Sequence, residues 1–255
     1  MSETFVTRLT TALLLLAALV AVPARTAAQD VVAERGVIRK VLGTIGRDLK
    51  SIPSKESVPL LSSAAAFALF VSPFDETLTF SASCSTFLKT TFGSWARPMG
   101  QEWLLASGVL ATYVTGRATA SPRLTAVGGD LMEAQLLAGA VTLGMKHAVN
   151  RQRPDGEARS FPSGHAAGTF AAASVLQRHL GWKGAVPAYT VAVLISGARL
   201  QANSHFATDV IAGAAVGILA GRAATFDIAG ARVLASPVIV PGGGAVSFSV
   251  RSDQD

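Results

Sequence analysis

Six apolar segments rich in alanine and glycine, separated by prolines, constrain this chain more than any other feature. They cover roughly residues 58–72, 101–117, 130–150, 164–180, 186–199 and 206–224. Pro53, Pro59, Pro73, Pro98, Pro122, Pro154, Pro162 and Pro187 lie at or near their boundaries, as expected of residues that break helices. Stretches such as LLAGAVTLG and VIAGAAVGILAG let helix backbones approach closely, in a water-soluble bundle or in a bilayer. Length favours the first setting. Only two of the six overlapping uncharged runs, 57–74 and 160–177, reach 18 residues, and both contain proline, whereas a helical span takes about 20 apolar residues. The expectation is a compact all-α bundle of about six core helices, with short tilted membrane spans as the alternative. Half the residues are hydrophobic and 15% are charged, which excludes a disordered chain. A single cysteine excludes a disulfide framework and an all-cysteine metal site.

The flanks differ from the middle. Residues 1–28 read as a signal peptide: Arg8, then the run ALLLLAALVAV at 12–22, then Thr26 and Ala28 at the −3 and −1 positions of a cleavage site. An uncleaved anchor is the alternative. The protein is thus expected to be exported, either periplasmic or secreted, and attached to or integral in a membrane in the alternative setting. Without 1–28 the net charge is +5, which favours anionic partners. Residues 31–50 read as an amphipathic helix packed on the body, with Ile38, Val41, Leu42, Ile45 and Leu49 on one face. A membrane-surface helix is the second reading. In 233–250 two β-type runs flank a PGGG turn, which predicts a small hairpin. The expected division is 1–28 leader, 29–57 amphipathic segment, 58–227 helical domain and 228–255 hairpin tail. Cys84 is expected to be a small, unpaired core residue. Few aromatics and scattered basic residues argue against a nucleic-acid partner.

Three clusters in order carry chemistry. In KHAVNRQRP (146–154), a helix would place Lys146, Asn150 and Arg153 on one face before Pro154 ends it. Lys supplies a point charge and Arg a planar fork for phosphate oxygens. In FPSGH (161–165), Ser163 is a good N-cap, Gly164 lets backbone approach a ligand, and His165 falls in the first helical turn, where free N–H groups attract anions. In ARLQANSHFATD (198–209), His205 and Asp209 are four apart at the start of the last long helix. A carboxylate behind an imidazole fixes its tautomer and supports the charge it acquires. Each cluster alone has an ordinary explanation: a basic helix end, a capped helix start, a chance ion pair. Together, Lys146, Arg153 and Arg199 supply three positive charges, and Ser163 and the Gly164 N–H add neutral donors. Such a set suits a phosphoryl group and its transition state. Two histidines allow one to attack phosphorus and the other to protonate the leaving oxygen. No Cys/His or paired-carboxylate set has metal spacing, so neither a metal nor another cofactor is expected. His147, about 100° from Lys146 on a helix, reads as a packing or surface residue. His179 reads as a compensator of the helix dipole.

These motifs resemble those of the phosphatidic acid phosphatase type 2 / haloperoxidase superfamily: Lys146 with Arg153-Pro154, then Pro162-Ser163-Gly164-His165, then Arg199, His205 and Asp209. The resemblance implies a helical bundle with the site between helices. It implies His205 as the nucleophile that forms a phosphohistidine, Asp209 as its orienting partner, and His165 as the general acid. Lys146, Arg153, Ser163, Gly164 and Arg199 would hold the phosphate. Where the family's third motif usually begins Ser-Arg, this chain has Ala198-Arg199, so one hydroxyl near the phosphate is missing.

The leading expectation is an exported, metal-independent phosphatase acting on phosphomonoesters, with lipid phosphates and diphosphates among its candidate substrates. A vanadate-dependent haloperoxidase shares the motifs. A third reading is a membrane-associated bundle that binds anionic headgroups without turnover.

Overall fold

The computed structural model describes residues 57–86, 89–90, 102–225, 231–240 and 243–252. The leader at 1–28 and the helix expected at 31–50 lie outside the described residues. Seven α-helices are described: α1 (Val58–Val71), α2 (Asp75–Cys84), α3 (Glu102–Ala118), α4 (Pro122–Val149), α5 (Gly164–Leu180), α6 (Trp182–Gln201) and α7 (Ala207–Thr225). Strands β1 (Ala231–Val240) and β2 (Gly243–Ser252) pair antiparallel, with Ala231 opposite Ser252 and Val240 opposite Gly243.

Helix α5 is the central element and packs against α4, α6 and α7. Its inner face is almost all alanine: Ala167, Ala171 and Val175 meet Leu131 and Leu137 of α4 and Ala220 of α7. Small side chains bring the axes close, and glycine brings α7 closest. A Cβ added at Gly213 or Gly217 would collide with the carbonyl oxygens of Ser163 and Ala167, and one at Gly221 would lie 2.6 Å from that of Ala171. These three positions are spaced i, i+4, i+8, so one stripe of α7 lies directly on the α5 backbone.

Three expectations need correction. Helix α4 begins at Pro122 rather than near 130, because Ser121 caps it, accepting the Leu124 N–H at 3.4 Å, and proline suits the first helical position. Pro187 lies inside α6 rather than at its boundary. Pro73 does not end its segment either: Ser72–Phe74 form one 3-10 turn that joins α1 to α2.

Burial also departs from the expectation. Val58–Cys84 forms a run of 27 residues, and it lies on the outside of the bundle instead of in its core. Leu69 and Phe70 are 73% and 71% exposed, and Phe80 is 69% exposed. Apolar side chains on α3 and α6, including Trp103, Trp182 and Val193, also face outward. Among the described residues, Val58–Cys84 and Ala207–Thr225 are long and apolar enough to cross a membrane. Cys84 is exposed and unpaired rather than a core residue.

Candidate active site

Helix termini and the loops between α4 and α5 and between α6 and α7 converge at one end of the bundle. Ser163 caps α5, accepting the Ala166 N–H at 3.4 Å, and its own N–H donates to the Asp209 carbonyl at 2.9 Å. This bond ties the start of α5 to the first turn of α7. Gly164 opens α5 and His165 follows in its first turn. Lys146 is in the last turn of α4, and Arg199 in the last turn of α6.

The first cluster is assembled differently from the helical expectation. Helix α4 stops at Val149, and Asn150 takes a left-handed conformation with φ 45°. Arg153 therefore reaches the site from a loop, not from a shared helix face. That loop is held by the Arg153 N–H donating to the Glu157 carbonyl at 2.7 Å. The Arg153 guanidinium also pairs with the exposed Glu157 carboxylate at 2.6 Å, and Lys146 Nζ donates to the Arg159 carbonyl at 2.6 Å. His205 likewise precedes α7 rather than opening it. Its ring is buried, with Nδ1 3.8 Å from Asp209 Oδ2, beyond hydrogen-bonding distance.

Four of the expected side chains bear electrostatically on His165. Burial, then the charges of Arg199, His205, Arg153 and Lys146, push His165 down from the usual 6.5 to about 4. All four neighbours disfavour an imidazolium, so the free site keeps His165 neutral at pH 7. A bound phosphate dianion offsets these charges and raises the tendency of His165 to hold a proton. The sign can be tested. Arg199→Gln removes the leading cationic contribution, so the His165 titration measured by NMR moves upward from about 4 towards 6.5. An unmoved or lowered value would mean that Arg199 does not face the ring.

Asp209 is completely buried and fully engaged. Oδ2 accepts the Ser160 hydroxyl in a short hydrogen bond and the Phe206 N–H at 2.8 Å, and Oδ1 accepts Arg151 at 3.0 Å. Sequence reasoning missed Arg151 and Ser160, which bond this carboxylate, and Thr208 and Asp75, which bond Arg151. His147 is exposed, as expected. His179 lies in the last turn of α5, where the dipole reading expects it, and its Nε2 also pairs with Asp130 Oδ2 at 2.6 Å, between α5 and α4. Among the described residues, no group of three His, Cys, Asp or Glu side chains is placed to hold a metal ion.

Beside the cluster runs a groove of about 540 Å³ between α3, α4 and α5. Leu105, Val109, Leu136 and Leu143 line it, and Lys146 and His165 stand at its polar end.

Residues 128–230, which contain all three motifs, match the PAP2 superfamily. This stretch belongs to the PAP2 superfamily. The match bears out the resemblance read from the motifs. The chain is 43% identical over 97 residues to the lipid A 1-phosphatase of Porphyromonas gingivalis, covering 36% of this chain and 22% of that protein. It is 31% identical over 100 residues to the lipid A 4'-phosphatase of Helicobacter pylori, covering 34% of this chain and 50% of that protein. The chain thus spans half or less of the length of either relative. The fold is shared with two crystal structures. Aquifex aeolicus LpxE aligns with a TM-score of 0.50 at 23% identity, over 58% of this chain and 92% of that one. A transmembrane PAP2-type phosphatidylglycerolphosphate phosphatase from Bacillus subtilis aligns with a TM-score of 0.55 at 21% identity, over 66% and 92%.

Proposed function

We propose that this chain is a membrane-embedded phosphatase that removes phosphate from lipid phosphomonoesters through a phosphohistidine. The carrying observation is the apolar groove that ends at Lys146 and His165, beside Arg153, Arg199 and His205. A lipid phosphate has the matching shape, with a dianionic head for the cations and acyl chains for the leucines. The relatives named as lipid A phosphatases support the same substrate class. The exposed apolar faces of α1 and α2 support placement in a bilayer, because water would not tolerate that much contiguous apolar surface without cost. On this reading the leader 1–28 directs export, and the segment 29–57, the domain 58–227 and the hairpin tail 228–255 make up the exported chain.

Position supports the following roles. Nδ1 of His205 faces Asp209, which leaves Nε2 to attack phosphorus. As the P–N bond forms, the P–O bond to the lipid breaks, and His165 gives its proton to the departing oxygen. A water molecule then gives a proton to His165 and attacks phosphorus, the P–N bond breaks, and His205 is restored. Lys146, Arg153 and Arg199, with Ser163 and the Gly164 N–H, spread the charge of the equatorial oxygens.

The test compares purified chain on a long-chain lipid phosphate in mixed micelles with a water-soluble aryl phosphate, reading inorganic phosphate released. The expected kcat/KM is at least about tenfold higher on the lipid, since a second buried contact surface adds one or more kcal/mol. Equal values would remove the groove from the argument. Bromide oxidation that depends on vanadate and peroxide, without phosphate release, would replace the reading with a haloperoxidase.

A further inference from the structure

The PAP2 match begins at residue 128, yet the buried carboxylate of Asp75, on α2, reaches into the site from outside it. Asp75 Oδ1 accepts the Thr208 N–H at 2.9 Å, and Oδ2 accepts the Thr208 hydroxyl in a short hydrogen bond and Arg151 at 3.0 Å. Arg151 then donates to Thr208 Oγ1 at 2.8 Å and to Asp209 Oδ1 at 3.0 Å, and its guanidinium lies 4.1 Å from the centre of the Phe206 ring. One side chain therefore caps the first turn of α7, and through Arg151 fixes the rotamer of Asp209. Phe206, against which Arg151 lies, is the residue next to His205. Asp75 and its neighbour Glu76 are the two charged residues in Val58–Cys84, an expensive placement for a carboxylate without a task.

We propose that Asp75 and Arg151 are positioning residues for the His205–Asp209 pair, so that α2 is part of the catalytic apparatus. This rests on the phosphatase reading. Two effects combine. Arg151 holds Oδ1 of Asp209 and leaves Oδ2 aimed at His205 Nδ1. Two carboxylates around one guanidinium leave a net charge of −1, which matches the positive charge His205 acquires as it takes phosphorus. With Asp75 neutral, Arg151 and Asp209 cancel, and that match is lost. Neither residue is among those that hold the phosphate, so the effect falls on turnover rather than on substrate affinity.

The experiment uses the full chain in detergent–lipid micelles, with kcat and KM on a lipid phosphate and inhibition by inorganic phosphate. Asp75→Asn is expected to lower kcat about 10–100-fold, the usual range for a partner that orients a reacting side chain. KM and the inhibition constant stay within about twofold, because the phosphate ligands are untouched. Asp75→Glu, which keeps the charge, regains most of the loss. A wild-type kcat in Asp75→Asn, a rise confined to KM, or no recovery in Asp75→Glu would overturn the proposal. If Asp75→Asn does not fold, Arg151→Lys carries the test. It keeps the charge but loses the fork that spans two carboxylates, and a wild-type kcat there has the same meaning. A readout independent of turnover is the His205 tautomer by ¹⁵N NMR. The Nδ1–H form dominates in the wild type and mixes with Nε2–H in Asp75→Asn; identical spectra overturn the pair. An inactive wild type with the expected tautomer shift would count against the phosphatase reading and leave the pair standing.

Discussion

His205→Ala stops turnover: kcat on any phosphate ester falls by about 10⁴-fold or more, as for loss of a nucleophile elsewhere. The size follows from the proposed chemistry. Without Nε2 there is no P–N bond, and the three cations and His165 are left to assist direct attack by water. The fold survives, because the His205 ring makes no hydrogen bond through Nδ1 and truncation leaves a cavity next to loop backbone that can settle. Phosphate release, circular dichroism and elution volume give the comparison. Acid-labile and base-stable incorporation of labelled phosphate, present in the wild type, is absent in the variant. His165→Ala should instead slow both steps, since that ring protonates the leaving oxygen and then deprotonates water. Residual turnover in His205→Ala within about tenfold of wild type would eliminate the phosphohistidine.

The site was legible in the sequence where its logic is local. Ser163 as a cap and His165 in the first turn of α5 follow from short-range backbone needs, and the structure reproduces them. Less was legible where the chain leaves the helix. The spacing of Lys146 and Arg153 suggested one helix face, but Asn150 turns left-handed and the arginine returns through a loop. Arg151 stood in the same motif without a visible task, because its partners lie 58 and 76 residues away. No periodicity encodes such pairs. A weaker signal was present for Asp75: it and Glu76 are the two charges in a largely apolar 27-residue run, where a carboxylate calls for a partner. Burial was the other gap. A run of Leu, Phe and Ala reads the same whether it leaves water for a protein core or for lipid. The sequence pattern alone could not separate α1 and α2, which face outward, from α5, which does not.

Gly217→Leu is expected to disrupt the molecule as severely as His205→Ala disrupts the chemistry, by a different route. The α5 and α7 backbones touch at this position: the new Cβ would overlap the Ala167 carbonyl oxygen and sit 2.9 Å from the Ala171 nitrogen. Both obstacles are backbone, so no rotamer change relieves them, and the helices must separate. Overpacking of this kind costs about 3 kcal/mol or more. Separation also reaches the site. Gly213 lies one turn closer, against Ser163, and the Ser163 N–H to Asp209 carbonyl bond of 2.9 Å is the next contact along that seam. A shift there moves His165 away from His205, and in-line transfer tolerates little of it, about 1 Å being enough for a 10²-fold loss. Lower Tm and lower activity should therefore appear together, with activity lost even at temperatures where the variant remains folded. Gly108→Ala is the control: nothing lies within 4 Å of a Cβ there, and an exposed helical glycine gains stability on becoming alanine. If Gly217→Leu keeps the wild-type Tm and turnover, then the glycine stripe does not set the distance between the two histidines. The spacing of the catalytic groups would then have to come from the Ser163–Asp209 bond and the Asp75–Arg151 network alone.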